Sequence, residues 1–513
     1  MTSGAKRSLS RRSDCDDETT SQRNDEKALF GDLINSNGHI IITKRKLAGI
    51  LKLSYKTIMR RTNKGRKMLC YPLDNTYPPF LVGTSSTDKT DKYIIFNYTG
   101  WDGDYPNGDL ILYIGDVGDI MAEITSIKYK YNFWHINNTK LTLDYPILSN
   151  FKYRAITIDP QNCYDMDDAL SYNFCDNLYH VGIHITDVSK YIKPNDEIDI
   201  IAKQRVESLY TDEQIHMLPL KCVNVLTLKE HNIKNCVNII VVFNDQFKIV
   251  NYYIDRQPVL IDNNYNYEYA DNLLEHQHVM LLRLQQIAQY LINDYVEDTH
   301  KIIEVYMLLA NVIFANELYK NNKPLMRTCD IKPNVPKELK QFKYNRATYC
   351  LEPAIHNNIF LNVNNLNCKY YTHMTSPMRR YVDILTHRLM FGEAELSDID
   401  ITYINNMSNK YKKAHNEYNY IKTLYKLDKT DGIYSAYIIK LKETTIKLYI
   451  KDLDLVCRVQ LSNISKLTTP NIKDNCLYYK LDDIEYSYTL YSNVNVHVVI
   501  CFKTIDKIFI NII

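Results

Sequence analysis

The spacing of apolar residues changes along this chain, and the order of those changes limits the folds that it can form. From about residue 38 to 140, and over roughly the last 80 residues, short segments such as "YIIFNYTGW" and "NVNVHVVICF" alternate between polar and apolar positions, which predicts strands. A second strand-rich block runs from about 155 to 245. Residues 270–320 and 376–428 instead have the apolar spacing of amphipathic helices. The order predicts a small β-barrel, a large α+β domain and a second small β-barrel.

Composition restricts the class of protein. With 513 residues, of which 45% are apolar and 24% charged, the chain is long enough for several domains and is typical of a soluble globular protein. It has no apolar run of about 18 residues and begins with the polar segment "MTSGAKRSLSRRSDCDDETTSQRND", so we predict neither secretion nor membrane insertion. The 12 cysteines include no CxxC pair, which argues against a disulfide framework and favours a reducing, intracellular compartment. Residues 1–27 predict a disordered tail.

Four aspartates crowd the segment "TIDPQNCYDMDDAL", residues 157–170. The first of them ends a short apolar strand, and a turn is predicted to bring the other three back towards it. Converging carboxylate oxygens suit hard cations such as Mg²⁺, and a two-metal phosphoryl-transfer site needs such a cluster. The alternatives are a solvated acidic loop or a calcium loop, although the glycine and glutamate of an EF-hand are missing. The four are Asp159, Asp165, Asp167 and Asp168.

A second segment, "YYTHMTSPMRRYVDILTHRLM" from Tyr370 to Met390, carries basic residues where a helix is expected to begin. Ser376 and the proline after it predict a helix start, which places Arg379 and Arg380 in the first turn. Arginines there are unfavourable for the helix dipole and make more sense if they reach a phosphate. The alternative is an ordinary capped helix with solvated arginines.

Together, "TIDPQNCYDMDDAL" and "YTHMTSPMRRYVDILTHRL" resemble the two signature motifs of the ribonuclease II (RNB) superfamily. The first motif is similar to that of eukaryotic members, the exosome-type and cytoplasmic enzymes, more than to the bacterial form. The resemblance implies a multidomain α+β fold, with an RNB catalytic domain flanked by OB-fold β-barrels that are cold-shock-like at the N-terminus and S1-like at the C-terminus. The implied domains are the tail at 1–27, a cold-shock-like region at 28–145, the RNB domain at 146–428 and the S1-like domain at 429–513.

The resemblance also implies an activity. Members are processive 3′→5′ exoribonucleases that hydrolyse single-stranded RNA to nucleoside 5′-monophosphates with Mg²⁺, for which Mn²⁺ is an alternative. Carried over by motif, the four aspartates are expected to hold the metal, with Asp167 and Arg379 catalytic. Tyr210 in "SLYTD" and Tyr267 in "NYEYA" match substrate-contacting tyrosines, and stacking on aromatic rings suits a nuclease that must digest any RNA. Ser376 and Arg380 are further expected substrate contacts.

A basic run lies in the first part of the predicted N-terminal barrel. Residues 44–67 hold ten Lys and Arg and no acidic residue. On a barrel with aromatic neighbours, such a run favours a track for RNA phosphates, and the alternatives are a solvated basic face or a localisation signal. The residues predicted to form the track are Lys44, Arg45, Lys46, Arg60, Arg61, Lys64, Arg66 and Lys67.

The chain departs from the family pattern at three places. The segment "KALFGDLI" at 27–34 resembles only the last strand of a first cold-shock domain, which is therefore reduced or absent. Val305 replaces the second glutamate of the family's "IEE", and Cys329 stands where the family has a histidine. Neither change touches a predicted metal ligand, and we expect both to alter the wall of the RNA channel.

Two other functional classes compete with an active nuclease. A family member that has lost catalysis keeps RNA binding, but such proteins lack the aspartates that remain here. A scaffold with a cation-stabilised loop leaves the second motif unexplained. We predict a monomer that binds single-stranded RNA, does not bind membranes and works in the cytoplasm. The residue usage is typical of an AT-rich genome such as that of a large virus, and the cytoplasm is then the host's.

Overall fold

The computed structural model describes residues 21–23, 33–34, 40–42, 46–55, 60–62, 65–74, 77–100, 103–131, 133, 143–212, 214–332, 334–343, 347–363, 366–461, 470–481, 484–502 and 507–512. The chain divides into two units, one made of residues 1–135 and 416–513 and the other of residues 136–415. The domain boundaries predicted at 145/146 and 428/429 therefore lie near the observed divisions.

Three short strands come first, and they form one sheet in the order β1-β3-β2. They are β1 (Ser21–Arg23), β2 (Leu33–Ile34) and β3 (Ile40–Ile42). Within the predicted tail at residues 1–27, Ser21–Arg23 form a strand that pairs with β3, and the other residues of that tail lie outside the described residues. In the segment at 27–34, only Leu33–Ile34 is described, and it is a strand as predicted.

An N-terminal β-barrel follows, and its hydrogen-bonded pairs close a ring. Its members are β4 (Lys46–Leu51), β5 (Arg60–Thr62), β6 (Gly65–Pro72), β7 (Phe80–Thr84), β8 (Lys92–Gly100), β9 (Asn107–Asp116) and the helix α1 (Ile120–Lys130). The ring runs β4-β6-β7-β9-β8 and back to β4, and only the β7–β9 pair is parallel. Numbered along the chain, this is the 1-2-3-5-4 order of an OB-fold. Alternating side chains such as Met68, Phe80 and Phe96 fill its interior.

A second closed barrel lies in the unit of residues 136–415, and its strands run in the order β10-β11-β12-β15-β16. Buried residues such as Ile156, Ile183 and Ile239 cover one face of these strands and pack against helices. The elements here are β10 (Tyr153–Asp159), β11 (Asp168–Cys175), β12 (Leu178–Thr186), α2 (Val188–Tyr191), α3 (Glu197–Arg205), β13 (Leu209–Tyr210), β14 (Gln214–Ile215), α4 (Leu220–Leu226), β15 (Ile233–Phe243) and β16 (Ile249–Asn266).

Helices follow the barrel, as the periodicity predicted. They are α5 (Tyr267–Glu275), α6 (Val279–Ile292), α7 (Thr299–Lys320), α8 (Tyr381–Met390) and α9 (Ile401–Lys426), with the strands β17 (Met326–Thr328) and β18 (Thr348–Cys350) between α7 and α8. By length and composition α7 is apolar enough to cross a membrane. Most of its residues are buried in the core of this unit, among them Val305 and Phe314, which explains its composition.

The last segment is a five-stranded sheet in the order β21-β20-β19-β25-β26, with a three-stranded sheet, β22-β23-β24, inserted before its fourth strand. This is the strand order of an OB-fold, in which β21 and β26 would be the closing pair; among the described residues these two strands form no ladder. The order agrees with the predicted second barrel. The strands are β19 (Asp431–Lys442), β20 (Thr445–Ile450), β21 (Leu455–Gln460), β22 (Asn471–Lys473), β23 (Cys476–Leu481), β24 (Ile484–Thr489), β25 (Asn493–Ile500) and β26 (Ile508–Ile512).

An ion pair inside the unit of residues 136–415 offers a test of this packing. Nη1 of Arg388 lies 2.8 Å from Oδ1 of Asp199, and the two side chains are 2% and 3% exposed. Because removing one partner strands a buried charge, we expect Asp199→Ala to lower the free energy of unfolding by about 3–5 kcal/mol. The matched control is Glu304→Ala, which breaks the exposed pair with Lys301 and should cost less than about 1 kcal/mol. Urea denaturation measures both, and equal losses would contradict the packing described.

Candidate active site

The four aspartates lie on the hairpin that joins β10 to β11. Asp159 is the last residue of β10 and Asp168 the first of β11, and the two strands pair at Ile156 and Leu170. The turn begins with a hydrogen bond from the Cys163 amide to the Pro160 carbonyl. Asn162 has a φ of 64° in the turn, a conformation that asparagine tolerates better than most residues. The predicted return of the chain towards Asp159 is therefore confirmed.

Two of the carboxylates are buried and held by specific donors. Asp165 is 9% exposed and accepts a hydrogen bond from the Tyr210 hydroxyl. Asp167 is 3% exposed, and its Oδ1 accepts from the Met378 amide at 2.9 Å. Asp159 and Asp168 are partly exposed. A solvated acidic loop is thus excluded for Asp165 and Asp167.

Crowding and burial raise the pKa of these carboxyl groups. Burial raises the pKa of Asp159, and repulsion from Asp168 raises it further. For Asp167, burial raises the pKa, opposed by Arg379 and reinforced by Asp165. Burial likewise raises the pKa of Asp168 against the opposing charge of Arg379. The folded chain therefore holds protons at this site that an unfolded chain would release, which is the expected state of a carboxylate cluster without a cation.

The second segment departs from the predicted geometry. Helix α8 begins at Tyr381 with Arg380 as its N-cap, so the prediction of a helix start at Ser376 is wrong. The backbone at the start of this helix pairs with residues 206–208 instead. Arg380 and Glu207 form an isolated antiparallel β-bridge. The Ser208 amide donates to the Arg379 carbonyl at 2.9 Å, and the Tyr381 amide donates to the Val206 carbonyl at 2.7 Å. These backbone partners hold the segment out of the helix.

The two adjacent arginines have different environments. The Arg379 side chain is 44% exposed, and its Nε lies 3.8 Å from Oδ2 of Asp167. Nε and Nη2 of Arg380 instead donate to the two carboxylate oxygens of Asp383 at 2.9 and 2.8 Å. Asp383 also accepts from the Ser376 amide at 2.7 Å, and Ser376 is 2% exposed. The structure therefore does not support substrate contact by Arg380 or Ser376: a buried cation needs a paired anion, and Asp383 supplies it.

Both predicted tyrosines lie at the carboxylates. Tyr210 is the last residue of β13, and burial and the charge of Asp165 raise its pKa, so its phenol remains a hydrogen-bond donor. Tyr267 opens α5 directly after Asn266, the register partner of Asp159 on the parallel strand. Burial, Asp168 and Asp159 raise the pKa of Tyr267. The two rings therefore border the site from different elements.

The chemistry of the donors fits a hard divalent cation. Oδ2 of Asp159 and Oδ2 of Asp167 are buried and have no hydrogen-bond partner within the described part of the chain. Buried oxygens without a donor are costly, and a cation would satisfy them. As the side chains are placed, no three Asp, Glu, His or Cys groups among the described residues stand close enough together to hold an ion. The metal-ligand role of the four aspartates therefore stays a prediction.

The raised pKa values lead to a test by thermal unfolding. Because the folded state binds more protons than the unfolded one, stability without a divalent cation should fall as pH rises from about 4 towards the raised values. Mg²⁺ competes with those protons, so its addition should raise the Tm more at pH 8 than at pH 5. Asp167→Asn should reduce both effects. An equal Mg²⁺ shift at the two pH values would contradict the assignment.

The predicted RNA track is only partly described. Lys44, Arg45 and Lys64 lie outside the described residues, and for Arg60 and Arg61 the backbone forms β5. Two of the described residues have partners within the barrel. Nη2 of Arg66 donates to the carbonyls of Ser86 and Asp88, and Nζ of Lys67 donates to Asn107 at 2.6 Å. Lys46 lies at the start of β4. The track as a whole stays a prediction.

The two family departures are not at the carboxylates. Val305 is fully buried among apolar side chains of α7, and Cys329 is 5% exposed and pairs by backbone with His356. The expectation that they alter a channel wall is wrong for Val305, because its side chain faces the core. Sequence reasoning missed the Met378 amide and the backbone ties at residues 206–208, since main-chain donors leave no trace in side-chain patterns.

Comparison with known proteins agrees with this architecture. The family model of the RNB domain matches residues 151–294 and 334–392, and that of the Dis3-like cold-shock domain 2 matches residues 67–132. Ribonuclease R of Chlamydia pneumoniae is 24% identical over 390 residues, which cover 59% of this chain and 58% of the relative. The exosome complex exonuclease dis3 of Schizosaccharomyces pombe is 22% identical over an alignment of 588 positions, which covers 86% of this chain and 60% of the relative. The chain thus spans about three fifths of the length of these curated relatives.

Solved structures share the fold. RNase R of Mycoplasma genitalium, in complex with ribose methylated single-stranded RNA, superposes with a TM-score of 0.70 at 16% identity, over 96% of this chain and 94% of that one. Yeast Ssd1, a pseudonuclease, superposes with a TM-score of 0.60 at 16% identity, over 86% and 69%. The RNB match contains both the carboxylate hairpin and Arg379, and the Dis3-like match covers most of the N-terminal barrel. On these grounds the chain belongs to the RNB superfamily.

Proposed function

We propose that this protein is a 3′→5′ exoribonuclease that degrades single-stranded RNA processively to nucleoside 5′-monophosphates with Mg²⁺. The observation that carries the proposal is the pairing of Asp167, whose buried Oδ2 has no hydrogen-bond partner within the described residues, with the half-exposed Arg379 guanidinium 3.8 Å away. An unsatisfied carboxylate beside an accessible cation favours binding of a phosphodiester together with a metal ion. The names of the relatives, Ribonuclease R and exosome exonuclease, support the same class of reaction.

Each side chain has a separate task in this proposal. Asp159, Asp165, Asp167 and Asp168 would hold two divalent cations, which when bound supply an activated water and offset charge on the leaving oxygen. Arg379 donates to the non-bridging oxygens of the scissile phosphate, where negative charge grows in the transition state. The Met378 amide fixes the orientation of Asp167, so that its other oxygen points away from that donor.

The tyrosines would position the 3′ end. Tyr210, anchored through its hydroxyl to Asp165, presents a ring whose face can stack on a terminal base of any identity. Tyr267 borders the same carboxylates from the start of α5. Discrimination against DNA would come from donors and acceptors at the ribose 2′-hydroxyl.

The proposal is tested by incubating the full chain with 5′-labelled single-stranded RNA and Mg²⁺. We expect a ladder that shortens from the 3′ end, mononucleotides with a 5′-phosphate as products, and inhibition by EDTA. A 3′-phosphate should block digestion, and DNA of the same sequence should bind but resist cleavage. Cleavage of a circular RNA would instead identify an endonuclease and overturn the proposal.

A second candidate is an RNA-binding protein without catalysis. Two observations favour it: the likeness in fold to the pseudonuclease Ssd1, and the absence, among the described residues, of three metal-binding groups already gathered. Retention of all four aspartates and Arg379 favours the enzyme. Tight RNA binding with no mononucleotide release in Mg²⁺ or Mn²⁺ would decide for the second candidate. In either case we propose a monomer in the cytoplasm, with single-stranded RNA as its partner.

A further inference from the structure

A cavity in the unit of residues 136–415 lies outside the carboxylate hairpin and has no role in the proposed reaction. Its volume is about 640 Å³, within the range of small-ligand sites. It is formed where the end of α6 meets the chain between β18 and α8. The lining residues used below are Ile292, His356, Ile359, Phe360, Leu361 and Lys369.

Backbone hydrogen bonds hold the walls of this cavity in place. The Asn362 amide donates to the Leu291 carbonyl at 2.6 Å, which fixes the loop to the end of α6. The His356 amide donates to the Lys369 carbonyl at 2.8 Å, which joins the two sides of the loop. The cavity is therefore bounded by an ordered frame rather than by a chance arrangement of exposed side chains.

One wall carries a buried hydrogen-bond donor without an acceptor. His356 is 4% exposed, and burial, together with the charge of Arg327, lowers its pKa to about 4, so the imidazole is neutral at physiological pH. Its Nδ1 accepts from the Asn358 amide at 3.4 Å, which leaves the proton on Nε2. Nε2 is buried and has no partner among the described residues, which is costly for a polar group.

The rest of the lining defines the chemistry of that ligand. The Phe360 ring is 70% exposed at the cavity, beside the apolar side chains Ile292, Ile359 and Leu361. Lys369 supplies a positive charge, and none of the described residues that line the cavity is an aspartate or glutamate. An exposed aromatic face, amide and imidazole hydrogen-bonding groups and an uncompensated cation together fit a flat, hydrogen-bonding and anionic molecule.

We infer that this cavity is a second nucleotide site, which takes a nucleoside monophosphate with its base on Phe360 and its phosphate near Lys369. Stacking on a phenylalanine tolerates any base, so the site selects a class of ligand and not one base. Its ligand class is that of the product in the proposed function, but the site itself does not depend on hydrolysis. Free mononucleotide and the terminal nucleotide of an RNA share this chemistry.

The test is equilibrium binding of 5′-UMP to the full chain by calorimetry, in EDTA and in an Arg379→Ala background that disables the proposed catalytic site. We expect saturable binding, weakened about tenfold or more by Phe360→Ala and little by Phe360→Tyr, which keeps the ring. Lys369→Met should weaken 5′-UMP binding while leaving uridine binding unchanged, because uridine lacks the phosphate. Binding of a short oligouridylate, measured in parallel, shows whether the site prefers a free mononucleotide or the terminal nucleotide of an RNA.

Two further experiments check where the nucleotide binds and whether this site is independent of RNA hydrolysis. Photo-crosslinking of 4-thiouridine 5′-monophosphate should label the peptide that contains Phe360, and hydrolysis of RNA by the Phe360→Ala variant should match wild type. Phe360 is largely exposed, so its substitution is not expected to affect folding. Absence of saturable 5′-UMP binding, or binding that neither Phe360→Ala nor Lys369→Met changes, would overturn the inference. Neither result bears on whether the carboxylate site hydrolyses RNA.

Discussion

Replacing Asp167 by Asn is expected to lower the rate of RNA hydrolysis by several orders of magnitude while RNA binding survives. The Asp167 side chain is 3% exposed. Asparagine has nearly the same shape, so its side-chain oxygen can still accept the hydrogen bond from the Met378 backbone amide. The change removes the negative charge beside Arg379 and with it a proposed ligand of the cation, and a loss confined to the transition state lowers kcat and leaves affinity intact. Single-turnover hydrolysis and fluorescence anisotropy, on the same RNA, measure the two quantities.

Folding provides the control for this variant. Because burial and neighbouring charges raise the pKa of Asp167, the ionised carboxylate is disfavoured in the metal-free fold. Asp167→Asn should therefore leave the free energy of unfolding in EDTA unchanged or increase it near neutral pH. Activity above a tenth of the wild-type rate would contradict the catalytic assignment, and a large loss of stability would show that the activity measurement reports unfolding.

The adjacent arginines are expected to respond in opposite ways. Arg379→Ala should reduce kcat by about 10²–10³, because the proposed donor to the transition-state charge is lost, and should cost less stability than Arg380→Ala because its side chain is 44% exposed. Arg380→Ala should instead lower the free energy of unfolding by about 3–5 kcal/mol, since Asp383 is left buried and unpaired. Hydrolysis rates and urea denaturation of both variants separate the two roles.

Arg379→Lys is the matched variant for the active site. It retains the charge but not the planar fork of donors, so we expect partial recovery relative to alanine. If Arg380→Ala were stable and inactive while Arg379→Ala were active, the two assignments would be reversed.

The architecture was largely predictable because it depends on local periodicity. Alternating residues in the N-terminal and C-terminal segments predicted strands, and both segments form OB-type sheets. The carboxylate hairpin followed from an apolar strand and turn residues, and Asn162 occupies its left-handed position. The strand at Ser21–Arg23 was missed, since a polar segment of three residues owes its strand to a partner distant in sequence.

The sequence alone determined which residues were candidates for the site: four carboxylates after one strand, and two arginines some two hundred residues later. Only the tertiary structure decided where each of them lies and which groups it contacts. Backbone hydrogen bonds to residues 206–208 place the start of α8 at Tyr381. With the helix starting there, the Arg380 side chain pairs with Asp383 and the Arg379 side chain lies beside Asp167. The physical reason is that the type of each residue and the spacing of apolar residues are local properties of a chain. The partner of a buried charge is instead set by which distant backbone donors and acceptors pack against it.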